Sequence, residues 1–579
     1  MLNYKIQGKD NMNKNISRRT FVKGVVATSL AATIPLQASS STLTQRKKNQ
    51  ELSGTEFYLS INKTAVNITG NPRVATAVNS MLAGPTLRWK EGERVTLHVT
   101  NNLDVSSSIH WHGIILPTDM DGVPGISFDG IPAGETFTYS FDVVQNGTYW
   151  YHSHSGFQEQ TGVYGSIIID PIEKDPYAYD KEYIVLLSDY SDEKPSTIYR
   201  KLKLSADYYN YNQRTVGDFF SEVAQKGFLE AFAQRKIWNT MRMSDRDISD
   251  VTGATYTFLM NGENPATRFQ ALFNKGEKIR LRFINASSMT FFDIRIPNLS
   301  MQVVATDGNN IQPVNVEEFR IGVAETYDVI VEPKDAEAYA IFAQSIDRSG
   351  YALGNLTTDT TILAKVPDLD KKETLTLTDM GMSKDMSKMS SMSKMHKMDK
   401  KMPMQNKIPV THLASKEGFG STMKAMNPQY RLDDPGVGLR NNGRRVLTYA
   451  DLRSLKSTAH ERYPDREIVL HLTGNMDRYM WSINGIKYSD AKPLEFHYGE
   501  RLRITYINDT MMNHPMHLHG MWSDLETGDD NHLVRKHTIA VQPGAKISFR
   551  VNVDAKGSWA YHCHLLYHMT DMFRKVEVA

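Results

Sequence analysis

The chain of 579 residues has one cysteine, so no internal disulfide is open to it. It has no surplus of either charge: 67 basic and 65 acidic side chains leave a formal net charge of +2. That balance excludes the strongly basic field of a nucleic-acid binder. It lacks an apolar run that could span a bilayer, because residues 25–36 fall short of the roughly 20 residues required. Amphipathic helical periodicity is scarce, and 216–236 is the best candidate. No histidine occurs between residues 155 and 395, although the chain has 18.

What is present begins with a basic stretch at 17–23, Ser-Arg-Arg-Thr-Phe-Val-Lys, followed by the short apolar run and "LQASS". A charged region, an apolar core and small residues make residues 1–38 a secretory signal with cleavage after Ala38. The Arg18–Arg19 pair resembles a twin-arginine signal, which implies export of a folded protein to the periplasm.

The length exceeds the roughly 250–300 residues at which one core stops growing, so several domains are expected. Strand-like alternation punctuated by Gly and Pro dominates, which predicts an all-β fold. The chain also repeats itself. "KEGERVTLHVTNNL" (90–103), "NKGEKIRLRFINAS" (274–287) and "HYGERLRITYINDT" (497–510) share a Gly-Glu turn, an alternating strand and an Asn. A second element recurs as "PAGETFTYSFDVVQNGTYWYHSH", "GVAETYDVIVEPKDAEAYAIFAQS" and "QPGAKISFRVNVDAKGSWAYHCH". Each reads as turn, strand, turn, strand, as in an antiparallel sandwich. Three consecutive Greek-key β-sandwich domains are therefore predicted at 50–172, 180–365 and 440–579, with a linker over 366–439. The middle copy has Phe342-Ala343-Gln344-Ser345 where the outer copies have histidines, so it reads as a spacer.

With 18 histidines, chance supplies roughly half of one His-x-His motif. There are four: His110/His112, His152/His154, His517/His519 and His562/His564, with His514 and His568 flanking the last two. Side chains alternate faces along a strand, so both histidines of each motif point one way and the residue between points the other. In "HCH" this sends two imidazoles to one site and a thiolate to a second, which suits a wire better than a cage. A His₂Cys set with a weak axial thioether is the blue-copper pattern, and His514, Cys563 and His568 can supply it. The other eight imidazoles exceed what one zinc needs and suit several copper ions. His98, His396, His412, His460, His471, His497, His532 and His537 stand outside these clusters and read as ordinary core or surface residues.

"HWHG" (110–113), "HSH" (152–154), "HPMHLHG" (514–520) and "HCHLLYH" (562–568), in that order, resemble the four signatures of the multicopper oxidases. "FLMNGENPATRF", "GNMDRYMWSINGIKY", "HGMWSDLE" and a methionine tract are most similar to the bacterial copper-resistance protein A branch. The resemblance implies three cupredoxin-like domains and four copper ions. His514, Cys563 and His568 would hold the type 1 ion. His110 and His517 would hold type 2, and His112, His152, His154, His519, His562 and His564 the type 3 pair, at the interface of the first and third domains. The family places its axial residue five positions after the last histidine, which here is Phe573. Alignment on the following "MFR" makes Met572 the axial ligand across a one-residue deletion, with Phe573 as the alternative. Asp121, in "PTDMDGVPG", resembles a family carboxylate and is assigned a proton relay. The carboxylate some relatives place after the last histidine is Met569 here, so a second proton donor is not identified.

The implied reaction takes single electrons from a reductant, passes them through Cys563 to His562 and His564, and reduces O₂ to water. Residues 380–404 contain nine methionines among 25, with six lysines and two aspartates. Thioethers are soft ligands that select Cu(I), so the tract reads as a flexible collector of extra Cu(I). Cu(I) is thus the first candidate substrate and a small phenol the second. The alternatives are a copper-sequestering protein and a laccase-type phenol oxidase. An outer-membrane copper-resistance partner is a further expectation. Neither nucleic-acid binding nor stable membrane insertion is expected.

Overall fold

The computed structural model describes residues 50–382, the backbone of 410–412, and 420–579. The signal at 1–38 lies outside the described residues, as does all of the methionine tract except 380–382. Met380 is fully buried in the core and so does not belong to a solvated loop.

Strands dominate because the predicted alternation is real. Arg94–Asn101 buries every second side chain, Val95, Val99 and Asn101 among them. The strands form six sheets in three pairs, spanning 51–170, 181–357 and 410–578. The sheets are mixed rather than antiparallel: Glu56–Val66 lies parallel to Arg94–Asn101, and Arg466–Asn475 to Arg501–Asn508. Greek-key connections cross between sheets, so neighbours in space are not neighbours in sequence. Val410–His412 joins the third domain's sheet beside Arg466–Asn475, so the predicted linker contributes a strand to that domain. The described residues from 50 onward pack as one compact unit around a continuous core.

The helical candidate at 216–236 is two helices, Val216–Lys226 and Phe228–Thr240. Gly227 breaks it at φ +84, a conformation that disfavours any other residue. Thr215 caps the first helix by accepting the Asp218 N–H, and Asp218 Oδ2 accepts the Thr215 N–H in return.

In "EKIRLRFINAS" arginines alternate with apolar residues, yet Ile279–Asn285 is buried throughout. Arg280 and Arg282 both reach Asp328, at 2.6 and 2.9 Å, and Arg282 meets Thr148 of the first domain. Charge alternation here serves a domain interface, because a buried guanidinium must be paired.

Candidate metal centre

In the first domain the strand His110–His112 pairs with Gly147–His152, setting His110 opposite His152. In the third domain His514–Leu518 pairs with Gly557–Cys563, setting Met516 opposite Cys563 and His517 opposite His562. Alternation then sorts the side chains. His514 and Cys563 share one face, while His517, His562 and their neighbours His519 and His564 take the other.

On the first face Cys563 Sγ lies 3.5 Å from His514 Nδ1 and 3.9 Å from His568 Nδ1. The two nitrogens are 3.4 Å apart, and all three residues are fully buried. The outer edges of the imidazoles are tied down. His568 Nε2–H donates to Asp250 Oδ2 at 2.6 Å, and His514 Nε2–H donates to Thr510 Oγ1 at 2.7 Å. The Trp481 indole stacks on the His568 ring with centroids 3.7 Å apart. Met572 is buried in the same core, its carbonyl accepting the Cys563 N–H at 3.0 Å. The adjacent Phe573 faces the opposite way and stacks on His562, with planes 6° apart. Phe573 is therefore not beside Cys563, and Met572 stays as the axial candidate.

On the second face eight histidines meet across the boundary of the first and third domains. His110 stacks on His519 at 4.0 Å and His112 on His517 at 3.8 Å. His152 Nε2 lies 3.3 Å from His564 Nε2, and His519 Nε2 lies 3.0 Å from His562 Nε2. His154 completes the ring of contacts, 5.1 Å from His562 between centroids. Oxygen acceptors fix the tautomers. His110 donates from Nδ1 to the Asp121 carbonyl at 2.7 Å, and His519 from Nδ1 to Asp121 Oδ2 at 2.9 Å. His517 donates from Nδ1 to the His537 carbonyl at 2.7 Å, and His562 from Nδ1 to the Cys563 carbonyl at 3.0 Å. Each leaves its Nε2 facing inward. His112 is reversed: its Nε2 meets Thr538 Oγ1 at 3.1 Å and its Nδ1 is free.

These residues fit a metal. Among the described residues, the buried imidazole nitrogens without a hydrogen-bond partner are Nε2 of His110, His154, His517 and His537 and Nδ1 of His112 and His564. An unpaired buried polar atom is costly, and two lone pairs facing at 3 Å need a cation between them. Four sets have ligand atoms mutually within 4.8 Å: His110–His112–His517, His110–His154–His519, His112–His152–His564 and His514–Cys563–His568. Burial pushes His112, His152, His514, His517, His519 and His564 well below the usual imidazole range, and His562 to about 4. Neutral imidazoles are what a metal binds. Burial also pushes the Cys563 thiol up, so a metal must displace its proton.

Three functional neighbours escaped the sequence reading. His537 is no ordinary core residue: its ring packs on His112 at 4.7 Å, and its carbonyl holds His517. A Lys-His pair inside the apolar strand pattern "VRKHTIAV" was its only signal. Glu159, on a single helical turn after "HSH", is buried with Oε2 2.7 Å from His152 Nδ1, and burial holds its carboxyl well above the usual range. Asp250 comes from the middle domain, which is therefore more than a spacer. Nothing local marks it.

Profiles of the multicopper oxidase family match residues 60–174, 181–366 and 461–579. The chain belongs to the multicopper oxidase family. As a multicopper oxidase it is a copper-dependent oxidoreductase with O₂ as acceptor. It is 53% identical to copper resistance protein A of Escherichia coli, over 97% of this chain and 99% of that one. It is 30% identical to the multicopper oxidase MmcO of Mycobacterium tuberculosis, over 86% and 82%. In fold it is similar to Fet3p, a multicopper oxidase that functions in iron import, with TM-score 0.65, 18% identity and 91% and 90% coverage. The laccase of Botrytis aclada superposes with TM-score 0.60, 21% identity and 91% and 88% coverage. These likenesses show three cupredoxin-like domains.

The copper-free multicopper oxidase is expected to lose stability steeply as pH falls below 6.5. Its buried histidines stay neutral when folded and take up protons once unfolded, so the unfolded state binds more protons. The sign follows: no contribution above pH 6.5, and a loss of up to about 1.4 kcal/mol per pH unit for each such histidine below it. Denaturant midpoints of the apo protein between pH 7 and 5 measure this, and a flat profile would contradict it.

Proposed function

We propose that this multicopper oxidase oxidises Cu(I) with O₂ and thereby serves copper resistance. Four Cu(I) ions and four protons meet one O₂, giving four Cu(II) ions and two waters. The residues would hold one type 1 copper at His514, Cys563, His568 and Met572, one type 2 copper at His110 and His517, and a type 3 pair. His112, His152 and His564 would hold one ion of that pair, and His154, His519 and His562 the other. Bound there, copper would supply one-electron uptake at the Cys563 set and four-electron delivery at the histidine cluster.

The protein's own residues do the rest. Asp250 and Trp481 fix the His568 ring. The Cys563 backbone is the covalent bridge from the thiolate to His562 and His564. Asp121 orients His110 and His519 and offers a buried carboxylate for protons. Residues 1–38 would direct export to the periplasm, where an outer-membrane partner could receive copper.

One observation favours Cu(I) over a phenol. Asp250, the partner of His568, lines a cavity of about 10 Å³ together with Met289 and Met512. That is room for one water-sized species and not for an aromatic ring. The lining pairs thioethers with a carboxylate whose Oδ1 has no hydrogen-bond partner, and soft sulfur selects Cu(I).

O₂ uptake measured with Cu(I) and with a phenol, in the parent and in a chain lacking 380–404, tests the proposal. Faster uptake with Cu(I), reduced by the deletion, is expected. Stoichiometric binding without turnover would make the protein a copper sponge. Cu(I) oxidation untouched by the deletion would remove the tract's role, and preference for the phenol would make it laccase-like.

A further inference from the structure

We infer that Asp307, in the middle domain that holds no copper ligand, is a positioning residue for the histidine cluster. The inference rests on the assignment of His110 and His517 to the type 2 ion.

Strands Met301–Thr306 and Asn309–Val316 are joined by Asp307-Gly308 alone. Both residues have positive φ, 46° and 77°, the tight hairpin turn for which Asp-Gly is favoured. The tip is wedged between the two outer domains. A Cβ on Gly308 would lie 2.2 Å from the Tyr149 ring, and one on Gly147 would lie 2.2 Å from the Gly308 carbonyl. No side chain fits there, so the first domain closes directly on the turn.

On its other flank the tip grips the third domain. Asp307 Oδ2 accepts the backbone N–H of His537 and of Thr538, each at 3.1 Å, and meets Lys536 Nζ at 3.0 Å. Oδ1 accepts the Thr326 N–H within its own domain at 3.0 Å. Lys536 is fully buried and also reaches Glu325 Oε1 at 3.1 Å. A buried ion pair is weak evidence for stability, since desolvation offsets the attraction; its better-attested use is to fix register.

The register fixed here belongs to two ligands. The His537 carbonyl accepts His517 Nδ1–H, and Thr538 Oγ1 lies 3.1 Å from His112 Nε2. His112 and His517 come from different domains and stack at 3.8 Å. One carboxylate thus sets the peptide unit that orients an imidazole from each outer domain. Partners behind a ligand commonly change metal affinity by about 10–100-fold when lost.

The test uses the copper-loaded, full-length enzyme. Asp307→Asn tolerates the positive φ but presents either a weaker acceptor or an N–H to the two amides. It is expected to lose the type 2 EPR signal at about 10–100-fold lower chelator concentration than the parent, with the blue absorption intact. Glu325→Gln weakens the same ion cluster without touching the two amides and is expected to keep the parent's chelator resistance. If Asp307→Asn holds the signal as the parent does, the inference is overturned. It is equally overturned if both variants lose the signal in step with their melting temperatures, because Asp307 would then be merely structural. A parent without any type 2 signal would overturn the underlying assignment instead.

Discussion

Replacing Cys563 by serine is expected to abolish the intense blue absorption and the oxidase activity in a chain that still folds. Sγ meets both His514 Nδ1, at 3.5 Å, and His568 Nδ1, at 3.9 Å. A hydroxyl of nearly the same size is a hard ligand and leaves the set without the soft thiolate that defines blue copper. Activity should fall by more than the roughly 10–100-fold typical of changes behind a ligand, because the ligand itself is lost and the backbone bridge to His562 and His564 no longer starts from a thiolate. The fold should persist. The Cys563 N–H bonds to the Met572 carbonyl through the backbone, and a serine hydroxyl could bond to His514 instead of standing unpaired. Visible absorption, O₂ uptake with Cu(I), copper content and far-UV circular dichroism read the four parts separately. Blue colour surviving in the serine variant would refute the ligand assignment.

The second large effect is expected at Asp121. It is almost fully buried and holds two candidate ligands, His110 through its carbonyl and His519 through Oδ2. Asp121→Ala strands the His519 N–H in the interior, at a cost of about 1–3 kcal/mol, and should loosen copper in the cluster. Asp121→Asn separates orientation from proton supply, because the amide oxygen still accepts from His519 while the group no longer carries a proton. The expected result is normal copper content and blue colour, with O₂ uptake reduced about 100-fold or more and its pH dependence altered. A loss of cluster copper equal to that in Asp121→Ala would mean that Asp121 only orients. Unchanged turnover in Asp121→Asn would remove the proton role.

Much of the site was legible because its spacing is covalent. His-x-His on a strand must send both rings to one face, and an odd interval such as His514 to His517 must send them to opposite faces. Both follow from the pleat alone. The choice between Met572 and Phe573 was not legible, because a one-residue shift inverts the face; the pairing of His562 with Phe573 turns Phe573 away from Cys563 and leaves Met572 as the candidate. The helix expected over 216–236 was read through a break for a local reason, since Gly227 adopts a conformation that periodicity cannot register. The burial of Arg280 and Arg282 was not legible, because alternation reports polarity, not whether an opposing Asp328 arrives to pair with it.

By itself the sequence determined the strand periodicity, the threefold repeat, the four histidine motifs and the division of their side chains between two faces. Each is read along the chain, from residues a few positions apart or from segments that repeat, without knowing what meets in space. Only the tertiary structure decided what stands behind the ligands. Asp250 reaches His568 across 318 residues, Asp307 reaches His537 across 230, and His537 meets His112 across 425. A buried imidazole must satisfy its second nitrogen, and which group does so depends on how three separately folded domains pack. No local pattern encodes that.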